Sequence, residues 1–421
     1  MNFYLILILC LLLGSTGLDV LLDLLSLSRL SPQLPEEFQG IYDAEKYAKA
    51  LEYQATNYRF DLICQAIETP IVIGFILLGG FNVIDLWARS FSHGTIVTGL
   101  LFVGALGALR MLLTLPFSIY RTFVIEERFG FNKTTAKTFV LDLLKGLVIG
   151  ALLGGAIFSG VVWFFKTTGP MAWLYSWMAF TVLQLVLVYL APVVFLPLFN
   201  RFQPLEHGSL KTAVEQYNER NRFRMSGIFT MDSSKRSTKS NAFFTGFGQF
   251  KRLVLFDTLL EKNSTEELMA IFAHEVGHFK LGHILRFTAL SIVSSALLFF
   301  VLSLFIDNEG VFAAFKMDNI SIYASLVFVG FLYSPIARLL SLIGHALSRK
   351  AEFEADQYSV ETYGRPDAMM TALKKLSMDN LSDLQPHPLK VFFDYTHPPV
   401  LQRIRVLKEM AENPARIRRI R

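Results

Sequence analysis

Residues 264–306 read STEELMAIFAHEVGHFKLGHILRFTALSIVSSALLFFVLSLFI, and this stretch decides the architecture. Its second part, residues 285–306, is apolar and longer than the roughly 20 residues needed to cross the hydrocarbon of a bilayer. Its first part is a helix of another kind. Ser264 with Glu267 makes a capping box, and Leu268, Ile271, Phe272 and Phe279 form an apolar stripe, so residues 264–283 are expected to be helical. The polar residues of that helix include His274, Glu275 and His278. A chemistry-bearing helix thus sits at a membrane edge.

Working outward, six further stretches qualify as spans: residues 3–30, 62–87, 95–118, 139–165, 173–199 and 320–347. The first opens without a basic region and has no convincing small-residue cleavage site, so it is expected to be a retained helix, with a signal peptide as the lesser alternative. Composition agrees with a polytopic protein. Hydrophobic residues make up 52% of the 421 residues, charged ones 18%, and Phe occurs 39 times. Two cysteines, Cys10 and Cys64, cannot build a disulfide framework or a cysteine metal site. The net charge of +5 shows no basic polar domain, which sets nucleic-acid binding aside.

Loop charge tests the count of seven. With the N-terminus outside, the inside loops hold Arg29, Lys46, Lys49 and Arg59, then Arg121, Arg128, Lys133 and Lys137, then the basic stretch from Arg201. The outside loops hold only Arg89, Lys166 and Lys316. This asymmetry follows the positive-inside tendency. The tail residues Arg416, Arg418, Arg419 and Arg421 then also fall inside. The chain divides accordingly: residues 1–199 carry five spans, 200–284 a catalytic insertion, 285–347 two spans and 348–421 a C-terminal catalytic segment. The two polar segments lie on one side and are expected to pack as one unit. Gly146, Gly150 and Gly154, four residues apart in the fourth span, read as a close helix-packing face. Arg110 and Arg338 lie within spans, where charge is costly, so each should face a chamber or a partner.

Four-residue spacing puts His274 and His278 on one helical face, so both imidazoles can reach one ion. Glu275 stands beside them to accept a proton from an attacking water. One zinc ion per chain is expected, because imidazole suits zinc and an open fourth position serves hydrolysis. His283 is expected at the helix end, facing solvent or head groups. Two histidines need a third protein ligand, and residues 349–360 form an amphipathic helix bearing Glu352, Glu354 and Asp356. Glu352 and Asp356 share a face, one as ligand and the other as its neighbour, while Glu354 points elsewhere. A solvated acidic face paired with Arg349 and Lys350 is the equal alternative on spacing alone.

Taken together, His274-Glu275-x-x-His278 and Glu352-x-x-x-Asp356 resemble the integral-membrane gluzincin metalloproteases, and in particular the type I CAAX prenyl endopeptidases. Glu127-x-x-Gly130-Phe131-Asn132-Lys133-Thr134 is similar to that family's loop after the third span. Residues 241–247, NAFFTGF, are similar to its substrate-lining strand, and Thr396-His397-Pro398-Pro399 with Arg403 to its C-terminal motif. The likeness runs from about Tyr42 to Leu407.

The resemblance implies an all-α polytopic membrane protein, about seven transmembrane helices around a chamber, with a small α+β zinc metalloprotease domain on the cytoplasmic side. It implies His274, His278 and Glu352 as ligands, Glu275 as general base, and Asp356 as a supporting or proton-donating residue. His397 and Asn241 would hold the scissile peptide and its oxyanion, and Arg403 would hold the substrate end or steady the site. Without the resemblance, Asn241 reads as a turn residue, His397 as a loop histidine and Arg403 as a surface charge. Residues 227–231 and 252–256 look like strands, with 241–247 as an edge able to pair with an extended peptide.

The expected substrate is a protein C-terminus bearing an isoprenylated cysteine, from which three residues are removed. A quality-control protease for membrane proteins and a transporter or channel with a structural zinc are the rival readings. The membrane is that of the endoplasmic reticulum or a bacterial inner membrane, with the active site facing the cytoplasm.

Overall fold

The structure, a computed structural model, describes residues 2–245 and 252–413. Among the described residues, seven helices are long and apolar enough to span a membrane: Phe3–Arg29, Ala44–Leu77, Thr95–Glu126, Ala136–Thr167, Gly169–Phe199, His283–Phe305 and Ile322–Tyr363. The chain is a multi-pass integral membrane protein. Its first helix is fully part of the bundle: Asp19 accepts from Arg338 at 2.8 Å and Asp23 pairs with Lys390 at 2.7 Å. Arg110 is likewise paired, with Glu68 at 3.0 Å.

Three expectations need correction. The second span does not run to residue 87. The chain turns at Gly79, where φ is 75°, and Gly80–Ser90 is a separate helix. Hydropathy hides that break because both pieces are apolar. The seventh span and the expected acidic helix are one element, a 42-residue helix from Ile322 to Tyr363. No Gly or Pro separates them, and the helix stops only at Gly364, whose φ of 77° suits a C-terminal cap. Finally, Gly146, Gly150 and Gly154 do not pack: a Cβ built on any of them meets nothing within 4 Å.

That last observation belongs to a wider pattern. The most apolar windows of the spans are only 6–22% buried inside the protein. The Arg110 side chain, although paired, remains 60% exposed, and Arg121 and Asp61 form a second exposed pair on the same two spans. Charge facing lipid is costly. Pairing between the two spans lowers the cost of carrying these charges at membrane depth.

The polar segments form a layered unit at one end of the bundle. Strands β1 (Phe202–Pro204), β2 (Gly227–Met231), β3 (Ala242–Thr245) and β4 (Arg252–Phe256) build one sheet in the order β1-β2-β4-β3. β2 and β4 are parallel, and β1 and β3 flank them antiparallel. Strand β3 is an outer edge, not a strand between β2 and β4. Residues 246 and 247 of the expected edge, and the tail arginines from Arg416 on, lie outside the described residues. Ile228, Leu253 and Leu255 bury one face of the sheet against Leu268, Phe272 and Val276 of the helix Thr265–Lys280. Met369, Leu373 and Leu407 from the C-terminal segment cover Ala270 of that helix.

Candidate metal centre

Helix Thr265–Lys280 begins as its sequence dictates: Ser264 and Glu267 make the reciprocal capping box. It crosses the far end of the 42-residue helix at very short range, and Gly277 permits this. A Cβ on Gly277 would lie 3.1 Å from Ala355 Cα and 3.1 Å from Tyr358 Cβ. Two turns earlier, Ser359 donates to the Ala270 carbonyl at 2.9 Å. The second variable residue of the histidine motif is therefore where two backbones meet.

That crossing brings three donors together. His274 Nε2 and His278 Nε2 are 3.1 Å apart. Glu352 Oε2 lies 3.5 Å from the first and Glu352 Oε1 3.3 Å from the second. A tetrahedral ion with bonds of 2.0–2.1 Å needs donor-to-donor edges of about 3.3 Å. The three atoms fit such an ion. Among the described residues the donor group has only these three protein members, which leaves one tetrahedral position for a non-protein ligand.

Around the donors almost every polar atom is engaged. Arg403, a buried residue, donates from Nε and Nη2 to both Asp356 oxygens at 2.8 and 2.7 Å. Its Nη1 reaches Glu352 Oε2 at 2.9 Å. Asp356 Oδ1 in turn lies 2.8 Å from His274 Nδ1, somewhat out of line for a hydrogen bond. Asp356 is 1% exposed and so has no route to a substrate. Arg403 is equally occupied, which removes it as a group for holding a substrate end.

His283 overturns its expectation. It is 1% exposed, and its Nδ1 stands 2.8 Å from His278 Nδ1. Its Nε2 lies 2.9 Å from Glu354 Oε2, which also accepts from Arg286 at 2.9 Å. With His278 Nε2 turned to the donor group, its Nδ1–H donates to His283, and His283 Nε2–H donates to Glu354. On an unbroken helix residues 278 and 283 would point about 140° apart. The left-handed turn at Gly282, φ 71°, swings His283 back. Glu354, expected to point away from the site, belongs to this chain of contacts, and Gly282 was the one local signal for it.

Glu275 is half-buried beside the donors. Burial pushes its carboxyl above the ordinary value, and the two imidazoles and the Phe244 backbone oppose that shift. Phe244 belongs to β3, so the free strand edge runs beside Glu275. Asn241 is exposed at the head of β3, its Oδ1 accepting from the Ala242 N–H at 2.9 Å. His397 faces open space with its side chain 65% exposed, yet its Nε2 is 3.3 Å from Glu352 Oε1. Thr396 Oγ1 stands 2.9 Å from its Nδ1, and Arg349 steadies the preceding segment by donating to the carbonyls of Val391 and Tyr395 at 3.0 and 2.7 Å.

The same arrangement is known elsewhere. Residues 23–201 match the model of the CAAX prenyl protease N-terminal region with five membrane helices, and residues 204–411 match peptidase family M48. The chain belongs to peptidase family M48. CAAX prenyl protease 1 homologues from Arabidopsis thaliana and Homo sapiens are 32% and 31% identical, over 92% and 91% of this chain and 94% and 90% of theirs. CAAX prenyl protease 1 from Saccharomyces cerevisiae is 31% identical over 92% of this chain and 90% of its own. The crystal structure of Ste24p from S. mikatae superposes with a TM-score of 0.91 at 29% identity, covering 96% of this chain and 99% of that one. As a member of M48 the chain is a membrane metalloprotease, and its seven long helices with a small sheet share the fold of that crystal structure.

Proposed function

We propose that this M48 protein is a zinc endopeptidase in which His274, His278 and Glu352 are the ligands and an extended peptide is cut beside β3. Three donors at tetrahedral spacing, with Glu275 and a free strand edge alongside, carry this reading. Zinc suits a donor set of two imidazoles and a carboxylate; when bound it supplies a Lewis acid that polarises a carbonyl and acidifies water from a pKa of about 16 towards 7. A closed structural site takes four protein ligands, so the three-donor group supports hydrolysis over transport.

The other steps belong to the chain. The edge N–H and C=O groups of β3 pair with the peptide backbone, which asks little of its sequence. Asn241, at the head of that edge, helps to hold the peptide. Glu275 takes a proton from the attacking water and returns it to the leaving amine. His397, open to the cleft, donates to the oxygen on which charge develops. Asp356, fixed by Arg403, keeps His274 in place and handles no proton.

By its likeness to the CAAX prenyl proteases, the substrate is an isoprenylated C-terminus that loses its last three residues. The charge asymmetry of the loops supports a cytoplasmic site. Incubation of the purified protein with farnesylated and unlipidated forms of one CAAX peptide, with and without chelator, tests this by mass spectrometry. The farnesylated peptide should lose three residues, and only without chelator. Equal cutting of both forms defeats the substrate assignment, and cutting that resists chelation defeats the metal.

A further inference from the structure

The bundle has a second polar site at its other end. The 42-residue helix starts at Ile322 and reaches Glu352 thirty residues later, so its start lies about 45 Å from the donor group. There a cavity of about 430 Å³ opens where the third span begins, the fourth and sixth end and the seventh begins. Arg89, His93, Lys166, Thr95, Ser321 and Asp307 are among its lining. Arg89 and Lys166 are two of the three basic residues that the loops on this face carry, and the fold brings both to one place.

Each has charge to offer. Arg89 Nε donates to Asp85 at 2.7 Å, and Tyr323 donates to the other Asp85 oxygen at 2.5 Å. This fixes the guanidinium over the Tyr323 ring, 5.7 Å from its centroid, while its terminal nitrogens make no hydrogen bond among the described residues. Among the described residues Lys166 has a 3.5 Å contact with Thr95 Oγ1 and no carboxylate partner. The helices starting at Thr95 and Ile322 are 26 and 42 residues long. Neither has a side-chain cap or an acid in its first turn. The Ser321 hydroxyl, at the N-cap of the longer one, is buried and caps no backbone N–H among the described residues. Two long helices thus end here with their positive poles unanswered.

Asp307 gives the cavity one exposed acid on its rim. Formal charge over Arg89, Lys166, Asp85 and Asp307 cancels, so the site separates charge rather than accumulating it. Depth in the membrane narrows the occupant further. Helix Gly80–Ser90 buries Phe81, Ile84 and Ala88 in the protein and exposes Val83, Leu86 and Trp87. An exposed Trp among aliphatic residues beside a span end marks the level of lipid head groups.

We propose that this cavity binds the head group of a zwitterionic membrane phospholipid. Its phosphate meets Arg89, Lys166 and the two uncapped helix starts, and its ammonium meets Asp307. Binding of dioctanoylphosphatidylethanolamine, dioctanoylphosphatidylglycerol, dioctanoylglycerol and inorganic phosphate to the detergent-purified full chain tests it by titration calorimetry. The ethanolamine lipid should bind best. Lys166→Gln should weaken it about fivefold, the effect of one cation near a lipid head group, and Asp307→Asn by a similar factor. Both side chains are exposed, and unchanged thermal melting of each variant checks that it folds. Equal binding of dioctanoylglycerol, tighter binding of the glycerol phospholipid, binding of phosphate alone at the same concentrations, or unchanged affinity in Lys166→Gln would each overturn the proposal.

Discussion

At the crossing of helix Thr265–Lys280 with the end of the 42-residue helix, two backbones touch through Gly277 and buried charges interlock. In the fourth span, three glycines face open space and a Cβ would meet nothing. One protein holds both a packed polar nucleus and a loosely touching wall. The difference separates two tasks. A metal site tolerates errors of only a fraction of an ångström, and the candidate donors sit where nearly every polar neighbour has a partner. The fourth span carries no such network, and its glycines tolerate added volume.

Substitutions can break that contrast at its strongest point first. Glu275→Gln should lower peptidase turnover by about 10²–10⁴-fold, the usual worth of a general acid–base group, with metal content by atomic absorption unchanged. Retained turnover would remove Glu275 from the chemistry. Arg403→Met leaves Glu352 and Asp356 buried against each other without their shared cation. Breaking such a buried cluster costs about 3–5 kcal/mol, and denaturant melts of the two proteins will read it. A change near zero would mean that water already screens the pair.

His283→Ala should weaken metal binding about 10- to 100-fold, the usual cost of losing a group that orients a ligand histidine. A competitive chelator titration measures it, and His283→Gln, which can still donate to Glu354, should recover part of the loss. Gly277→Ala forces a methyl into a 3.1 Å gap and should cost about 1–3 kcal/mol by overpacking. Gly150→Ala, the same change in the wall, meets no neighbour and should not destabilise, with helix propensity favouring it by up to about 1 kcal/mol. If the two alanines behave alike in thermal melts, the proposed contrast between nucleus and wall is wrong.

Legibility in the sequence follows the same divide. Spans show themselves because crossing hydrocarbon requires about 20 apolar residues in a row. The pair His274 and His278 shows itself because four residues make one helical turn. What escapes is anything set by a break or a crossing. Gly79 interrupts an apolar run without changing its hydropathy. The change from apolar to charged residues near Ser348 looks like a helix end, although no breaker stands there and Pro335 is already tolerated within the helix. Glu352, 74 positions after His278, was one of three carboxylates by spacing, and the likeness to a family singled it out. His283 and Glu354 needed the turn at Gly282, and Arg403 needed a tertiary contact that no local pattern announces.

The 42-residue helix makes the membrane and the donor group parts of a single lever. Its inner proline, Pro335, stands about 25 Å from Glu352 along the axis. A hinge of about 4° there would carry that carboxylate through about 1.8 Å, close to the length of a whole metal–oxygen bond. Because Glu352 rides on a membrane-spanning helix, a change in that helix's tilt would displace a proposed ligand.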